Sequence, residues 1–202
     1  MRLYLVRHGE TSSNQKGALD TAIPGADLSS TGRAQAEALA ERFAATRIDR
    51  LYASTLSRTQ QTIAPLSQAL GCEPVILDGL REIGAGDWEM RTDEEAVISY
   101  MTVVGSWING DTAVRMSGGE SGEEFLARFD TAVATIAASG ADHALLVSHG
   151  AALRTWVGHH CDLTDWDDAA YKSLPNTGVI ELEGRPGRWH ILTWTGVTPT
   201  QR

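Results

Sequence analysis

Residues 3–10 read Leu-Tyr-Leu-Val-Arg-His-Gly-Glu, and residues 144–151 read Ala-Leu-Leu-Val-Ser-His-Gly-Ala. Each is four apolar residues, then one polar residue, then His-Gly. The first run is short and β-rich. The second is continuously apolar and predicts a strand buried on both faces. Between and around them the pattern alternates. Residues 30–45 predict a helix, with Ala36, Leu39, Ala40 and Phe43 at helical spacing and Ser30 or Thr31 as its cap. Strands are expected at residues 50–53 and 74–77. A helix is expected at residues 57–70, kinked or broken at Pro65 and ended by Gly71. Residues 90–119 carry a poor pattern and predict only helical fragments. Residues 120–138 predict a helix with Phe125, Phe129, Ala132, Val133 and Ile136 on one face. A further helix is expected at about 151–157, then a terminal hairpin of residues 179–182 and 189–194. Strands alternating with helices predict an α/β fold with a largely parallel sheet. In such sheets ligands lie beyond the carboxyl ends of the strands, where both His-Gly pairs fall.

The whole chain narrows the function. It has 202 residues and a net charge of −9, which argues against nonspecific nucleic-acid binding. It has no polybasic segment for an anionic membrane, no stretch long enough to span one, and no signal-peptide pattern at its start. A cytoplasmic location is the expectation. Cys72 and Cys161 form no disulfide framework and read as buried free thiols. Any phosphate must therefore be bound by a few local cations.

The two strand ends offer that chemistry. A phosphoryl group needs cations on its equatorial oxygens, a nucleophile in line, and an acid for the leaving oxygen. Arg7 and Arg58 supply forked donors that match phosphate geometry. One imidazole can attack phosphorus and a second can stabilise the transferring group. Gly9 and Gly150 would let the backbone approach a phosphate, and a helix starting after Gly150 would add its positive end. Residues 81–89 offer Glu82, Asp87 and Glu89 as candidate acids.

In the same order along the chain come LVRHGETSSN (5–14), LSSTGRAQAEALAERF (28–43), STLSRTQQT (54–62), LREIGAGDWE (80–89), GGESGEEFLARF (118–129), LLVSHGAALR (145–154) and LPNTGVIEL (174–182). Together they resemble the histidine phosphatase superfamily, which includes the cofactor-dependent phosphoglycerate mutases. The resemblance implies one domain over residues 1–202. It implies a three-layer α/β/α sandwich with a mostly parallel central sheet and an irregular lid insert at roughly 85–120. It implies His8 as the nucleophile that becomes phosphohistidine. Arg7, Arg58 and His149 would bind and stabilise the phosphoryl group, with Asn14 and Gly150 lining its site. Glu82 would be the proton donor and then the base. No cofactor is implied.

Three positions depart from the family pattern: Met90 and Ser117 stand where relatives often have Gly and Pro, and Pro65 sits where they continue a helix. The first two bear on lid shape and so on substrate. Residues 158–162, Gly-His-His-Cys-Asp, supply too few ligands at workable spacing for a metal, so none is expected. Trp88, Tyr100, Met101 and Trp107 are candidates for a substrate pocket or for packing. The expected activity is a phosphomonoester hydrolase acting on a small phosphorylated metabolite, with neither nucleic acid nor membrane as partner and a homodimer left open. A phosphoglycerate mutase is the enzymatic alternative; residues 90–119 contain only Arg91 and Arg115 as cations, which favours hydrolysis over it. A non-catalytic phosphate-binding module is the other.

Overall fold

Alternate residues of the first strand go to opposite sides of one sheet. Leu3 and Leu5 join one apolar cluster, while Tyr4 and Val6 join another. In the computed structural model, which describes residues 1–163 and 174–195, this strand is β1 (Arg2–Arg7). The other described strands are β2 (Arg50–Ala53), β3 (Val75–Ile76), β4 (His143–Ser148), β5 (Val179–Arg185) and β6 (Arg188–Trp194). Their order across the sheet is β3-β2-β4-β1-β5-β6. Strands β3, β2, β4 and β1 are parallel, and β5 runs antiparallel to both β1 and β6. The sheet is thus mostly parallel.

The helices form the two outer layers. Helices α2 (Ser30–Phe43) and α3 (Ser57–Leu70) cover one face with Leu39, Phe43, Ile63 and Leu66, packed on Tyr4, Val6, Leu145 and Val147. Helices α4 (Glu94–Ile108), α5 (Gly122–Ala138) and α6 (Gly150–His160) cover the other with Tyr100, Trp107, Phe125, Phe129 and Trp156. The three-layer α/β/α expectation holds. Because β4 lies between β1 and β2, and α2 and α6 leave for opposite faces, the chain opens a crevice beyond the ends of β1 and β4. That crevice is where ligands bind in open α/β sheets.

Several local expectations are corrected. Residues 94–108 form one continuous helix, not fragments. Its buried residues Ala96, Tyr100, Val104 and Trp107 keep a helical period, but β-branched residues such as Val97, Ile98, Thr102 and Val103, together with Gly105, lower its intrinsic propensity. Packing, with an Asp93 cap on the Ala96 N–H, outweighs that. Pro65 neither breaks nor ends α3. It lies on the outer, half-buried side of the helix. The cap of α2 is Ser29, whose Oγ accepts from the Gly32 N–H at 3.0 Å, rather than Ser30 or Thr31. Cys161 is buried and its thiol is pushed up to about 12 by burial, whereas Cys72 is only half-buried. Among the described residues, no helix is long and apolar enough to cross a membrane.

Candidate active site

His8 follows β1 and His149 follows β4. The parallel register sets Arg7 opposite Ser148, and the His8 N–H donates to the Ser148 carbonyl at 3.0 Å. The two imidazoles therefore stand side by side, ring centres 5.2 Å apart, both buried. Nδ1 of His8 lies 2.7 Å from the Gly9 carbonyl. A carbonyl only accepts, so the hydrogen bond assigns the proton to Nδ1 and leaves Nε2 with its lone pair. Burial, reinforced by the Arg58 and Arg7 charges, holds this imidazole well below the ordinary histidine range. It is thereby kept neutral, the form in which a nitrogen can attack.

His149 is held from behind. Its Nε2 is 2.8 Å from Ser54 Oγ, which in turn is 2.9 Å from Thr59 Oγ1. Burial, then Arg58 and His8, lower its pKa well below the ordinary value. Its Nδ1 is buried and, among the described residues, has no hydrogen-bond partner. The same is true of Arg7 Nε and of Arg58 Nε and Nη1. Each arginine is anchored through another nitrogen. Arg7 Nη1 donates to the Leu174 carbonyl at 2.7 Å, and Arg58 Nη2 to the Asp20 carbonyl at 2.9 Å. Asp20 is itself fixed by the Ser13 hydroxyl and the Ala26 N–H.

Arg7, His8, Asp20 and Arg58 line one cleft of about 270 Å³, together with Asn14, Glu82, Tyr100, Gly150 and Arg154; His149, fully buried beside the His8 ring, is not among the lining residues. A short helix, α1 (Ser12–Lys16), with Thr11 as its cap, presents Asn14. Asn14 Oδ1 accepts from the Thr11 N–H at 3.1 Å and from Asn176 Nδ2 at 3.2 Å, so its NH₂ is left to donate. Of the three candidate acids only Glu82 lines this cleft. Glu89 is spent on the Thr21 and Ala22 N–H groups and the Thr21 hydroxyl, and Asp87 on the Ser117 hydroxyl. The Glu82 carboxylate accepts from the N–H groups of Ile83 (2.9 Å), Ala152 (2.8 Å) and Ala151 (3.2 Å).

Two expectations change here. The first turn of α6 donates to Glu82, so its positive end orients a carboxylate that lines the cleft. Gly9 is required by packing: a Cβ there would meet the Gly32 carbonyl of α2 at 2.7 Å. Gly150 does border the cleft, where a Cβ would crowd Arg7 Nε at 3.1 Å. Of the aromatic and Met candidates, Tyr100 lines the cleft, Trp107 is core stacked on Phe125, Trp88 packs against the core, and Met101 is exposed. The His160 imidazole faces Asp130 at 2.8 Å, and no cluster of three metal-ligating side chains occurs among the described residues.

Sequence reasoning missed Ser54, Asn176, Thr62 and Arg154. Thr62 Oγ1 accepts the Gly9 N–H at 2.9 Å and donates to the Arg58 carbonyl, so it ties the His8 loop to α3. Asn176 also donates to the His8 carbonyl at 3.0 Å. Ser54, Thr62 and Asn176 lay inside the quoted segments, but nothing in a segment says which distant residue it will meet.

A crevice lined by Arg7, Arg58 and Arg154, with two buried histidines at adjacent strand ends, has the chemistry to take an anion in an α/β protein. The comparisons identify the kind. The chain matches the model of the histidine phosphatase superfamily (branch 1) over residues 3–196 and belongs to that family. It is 34% identical to the PE-PGRS family protein PE_PGRS11 of Mycobacterium tuberculosis over 95% of this chain, which spans 36% of that protein's length. It is 29% identical to the "Probable phosphoglycerate mutase GpmB" of Salmonella choleraesuis, covering 96% of this chain and 90% of that one. The solved structure of mycobacterial glucosyl-3-phosphoglycerate phosphatase superposes with a TM-score of 0.76 at 26% identity, over 97% of this chain and 99% of that one. Family and neighbours together place this chain among the phosphomonoester hydrolases.

Proposed function

We propose that the chain is a metal-independent histidine phosphatase that hydrolyses small phosphorylated metabolites through a phosphohistidine on His8. The observation that carries this reading is convergence. Among the described residues, four buried nitrogens make no hydrogen bond: on Arg7 and Arg58, which line the cleft with His8, and on His149, whose ring stands beside that of His8; the Asp20 carboxylate lies 3.9 Å from one of them, Arg58 Nη1. A buried unspent donor costs on the order of 1–3 kcal/mol, which a phosphoryl dianion accepting several at once would recover.

The steps follow from the atoms. The lone pair of His8 Nε2 forms the N–P bond as the P–O bond to the leaving group breaks. Arg7, Arg58, His149 and the Asn14 NH₂ hold the equatorial oxygens, and Glu82 gives its proton to the leaving oxygen. Water then attacks the phosphorus, the Glu82 carboxylate takes the water's proton, and the N–P bond breaks to return His8 and release phosphate. The Nδ1–H bond to Gly9 persists throughout and fixes the ring.

Hydrolysis is favoured over mutase chemistry because the two lid arginines are engaged elsewhere. Arg91 pairs with Asp93, and Arg115 with Glu124. The complete set of reactive side chains argues against a non-catalytic module. The cleft is small, and residues 85–120 serve as its lid. We place the protein in the cytoplasm and consider a homodimer compatible with this reading. Phosphate release from a panel of phosphometabolites, measured after exhaustive chelation, tests it. Turnover that survives chelation is expected. Isomerisation of phosphoglycerate without net phosphate release would support the mutase, and activity that collapses until a divalent metal is restored would overturn the mechanism.

A further inference from the structure

The segment at residues 118–129 has been given no part in the chemistry, yet it holds the most fully bonded side chain near the cleft. Arg128 lies on α5, outside the cleft lining, with its guanidinium over the Phe125 ring, 4.9 Å from its centre. A guanidinium has five N–H donors, and all five are used. Nη1 donates to the carbonyls of Gly79 and Arg81, both at 2.9 Å. Nη2 donates to the Glu82 carbonyl at 3.0 Å and to Glu120 Oε1 at 2.6 Å. Nε donates to Glu120 Oε2 at 2.7 Å. The two side chains are only 12% exposed. Glu120 also accepts from the Gly84 N–H at 3.4 Å, so the pair grips the backbone on both sides of Glu82.

The segment being gripped has little secondary structure of its own. A single 3-10 turn at Asp78–Leu80 leads into it, and residues 81–85 are irregular. The Glu82 carboxylate is fixed at its far end by α6, but those bonds run through a flexible side chain. Something must set where its Cα begins.

We propose that Arg128, locked by Glu120, is a positioning residue for Glu82: the five-bond grip holds residues 79–84 so that the carboxyl reaches the leaving oxygen. This rests on the reading of Glu82 as the general acid. A planar fork is required, because three carbonyls and a bidentate carboxylate lie around one side chain. A lysine offers three donors from one point and cannot span them.

The test is phosphoenzyme formation in a single turnover, by rapid quench, for two substrates. Glycerol phosphate leaves as an alkoxide that needs a proton, and 4-nitrophenyl phosphate leaves as a stable phenolate that does not. Misplacing a reacting group by about 1 Å costs roughly 10²-fold. Arg128→Lys is therefore expected to slow the alkyl substrate by about 10- to 10²-fold and the aryl one far less. In a Glu82→Gln background the same change should add no further loss for the alkyl substrate. Equal losses for both substrates, or alkyl losses that multiply in the Glu82→Gln background, would overturn the proposal. Should Arg128→Lys fail to fold, Glu120→Gln, which loosens the anchor but spares the three carbonyl contacts, carries the same comparison with a smaller selective loss. A wild-type protein that forms no phosphoenzyme with either substrate would instead refute the proposed activity itself.

Discussion

The sheet end and the rim of the cleft are built in opposite ways. At the sheet end, His8, His149 and Arg58 are buried and tied to backbone or to buried hydroxyls. At the rim, Leu19 and Thr21 line the cleft, and Met90 beside Leu19 is exposed. Its two loops meet through a short backbone ladder, Leu19 N–H to the Arg91 carbonyl and Met90 N–H to the Leu19 carbonyl, each 3.0 Å. Met90 sits at φ 62°, a left-handed conformation that costs a residue with a Cβ about 1–2 kcal/mol. The contrast separates chemistry from choice. The buried side chains are those proposed to carry phosphoryl transfer, and the proposal leaves substrate preference to the strained, exposed margin.

Glu82 lies where the two regions meet, and altering it gives the largest effect that probes the contrast. Glu82→Gln keeps the shape and removes the proton. Phosphoenzyme formation from an alkyl phosphate should fall about 10²–10⁴-fold, while an aryl phosphate loses much less. With the aryl substrate, intermediate should accumulate, because the same group is proposed to activate water. Equal losses in formation for both substrates would remove Glu82 from the role and return attention to Asp87 and Glu89.

A smaller effect comes from the buried rings. His8 and His149 both have folded pKa values depressed below the unfolded value of about 6.5. As pH falls from there towards the folded values, the unfolded chain binds protons that the folded chain refuses. Stability is therefore lost on acidification through that window, by about 1 kcal/mol per ring per pH unit. Denaturant unfolding at pH 7.5 and 5.5 checks the sign: a His8→Gln, His149→Gln double variant should lose less than wild type. Ring ¹⁵N shifts should show both imidazoles neutral at pH 6. Two rings that titrate near 6.5 would contradict the buried, desolvated site.

The smallest effect belongs to the rim. Met90 is 57% exposed, so Met90→Gly gives up little burial and relieves the left-handed strain. Net of the added chain entropy, stability should rise by about 0.5–1 kcal/mol. Thermal unfolding would register that as a rise of about 1–4 °C in Tm. A lower Tm would mean that the Met90 side chain contributes contacts that the rim depends on.

What the sequence made legible follows the same division. The His-Gly pairs at the ends of two apolar runs announced both the parallel sheet and the phosphate chemistry, because strand burial and strand-end placement are local properties. Helix α4 was obscured because β-branched residues and Gly105 hid a sound period that only packing against the core reveals. Residue chemistry alone left three candidate carboxylates and the family resemblance selected Glu82; in the fold Glu89 is spent on the Thr21 loop and Asp87 on Ser117, and Glu82 lines the cleft. Ser54, Asn176 and Arg128 act across 95, 168 and 46 positions of chain, through contacts to His149, His8 and Glu82. No local pattern marks such partners. The purpose of Gly9 was misread for a related reason: its constraint comes from the Gly32 carbonyl of a neighbouring helix.

The most direct measurement is the position of the covalent phosphate. Wild-type protein mixed with ³²P-labelled substrate, quenched in alkali within a turnover and digested, should carry label on the peptide containing Arg7 and His8. That label should survive base and be lost in acid, as a phosphoramidate is. His8→Ala should abolish both label and turnover while leaving the fold intact. Label on Ser148 or on an aspartate, or full turnover by His8→Ala, would contradict the account.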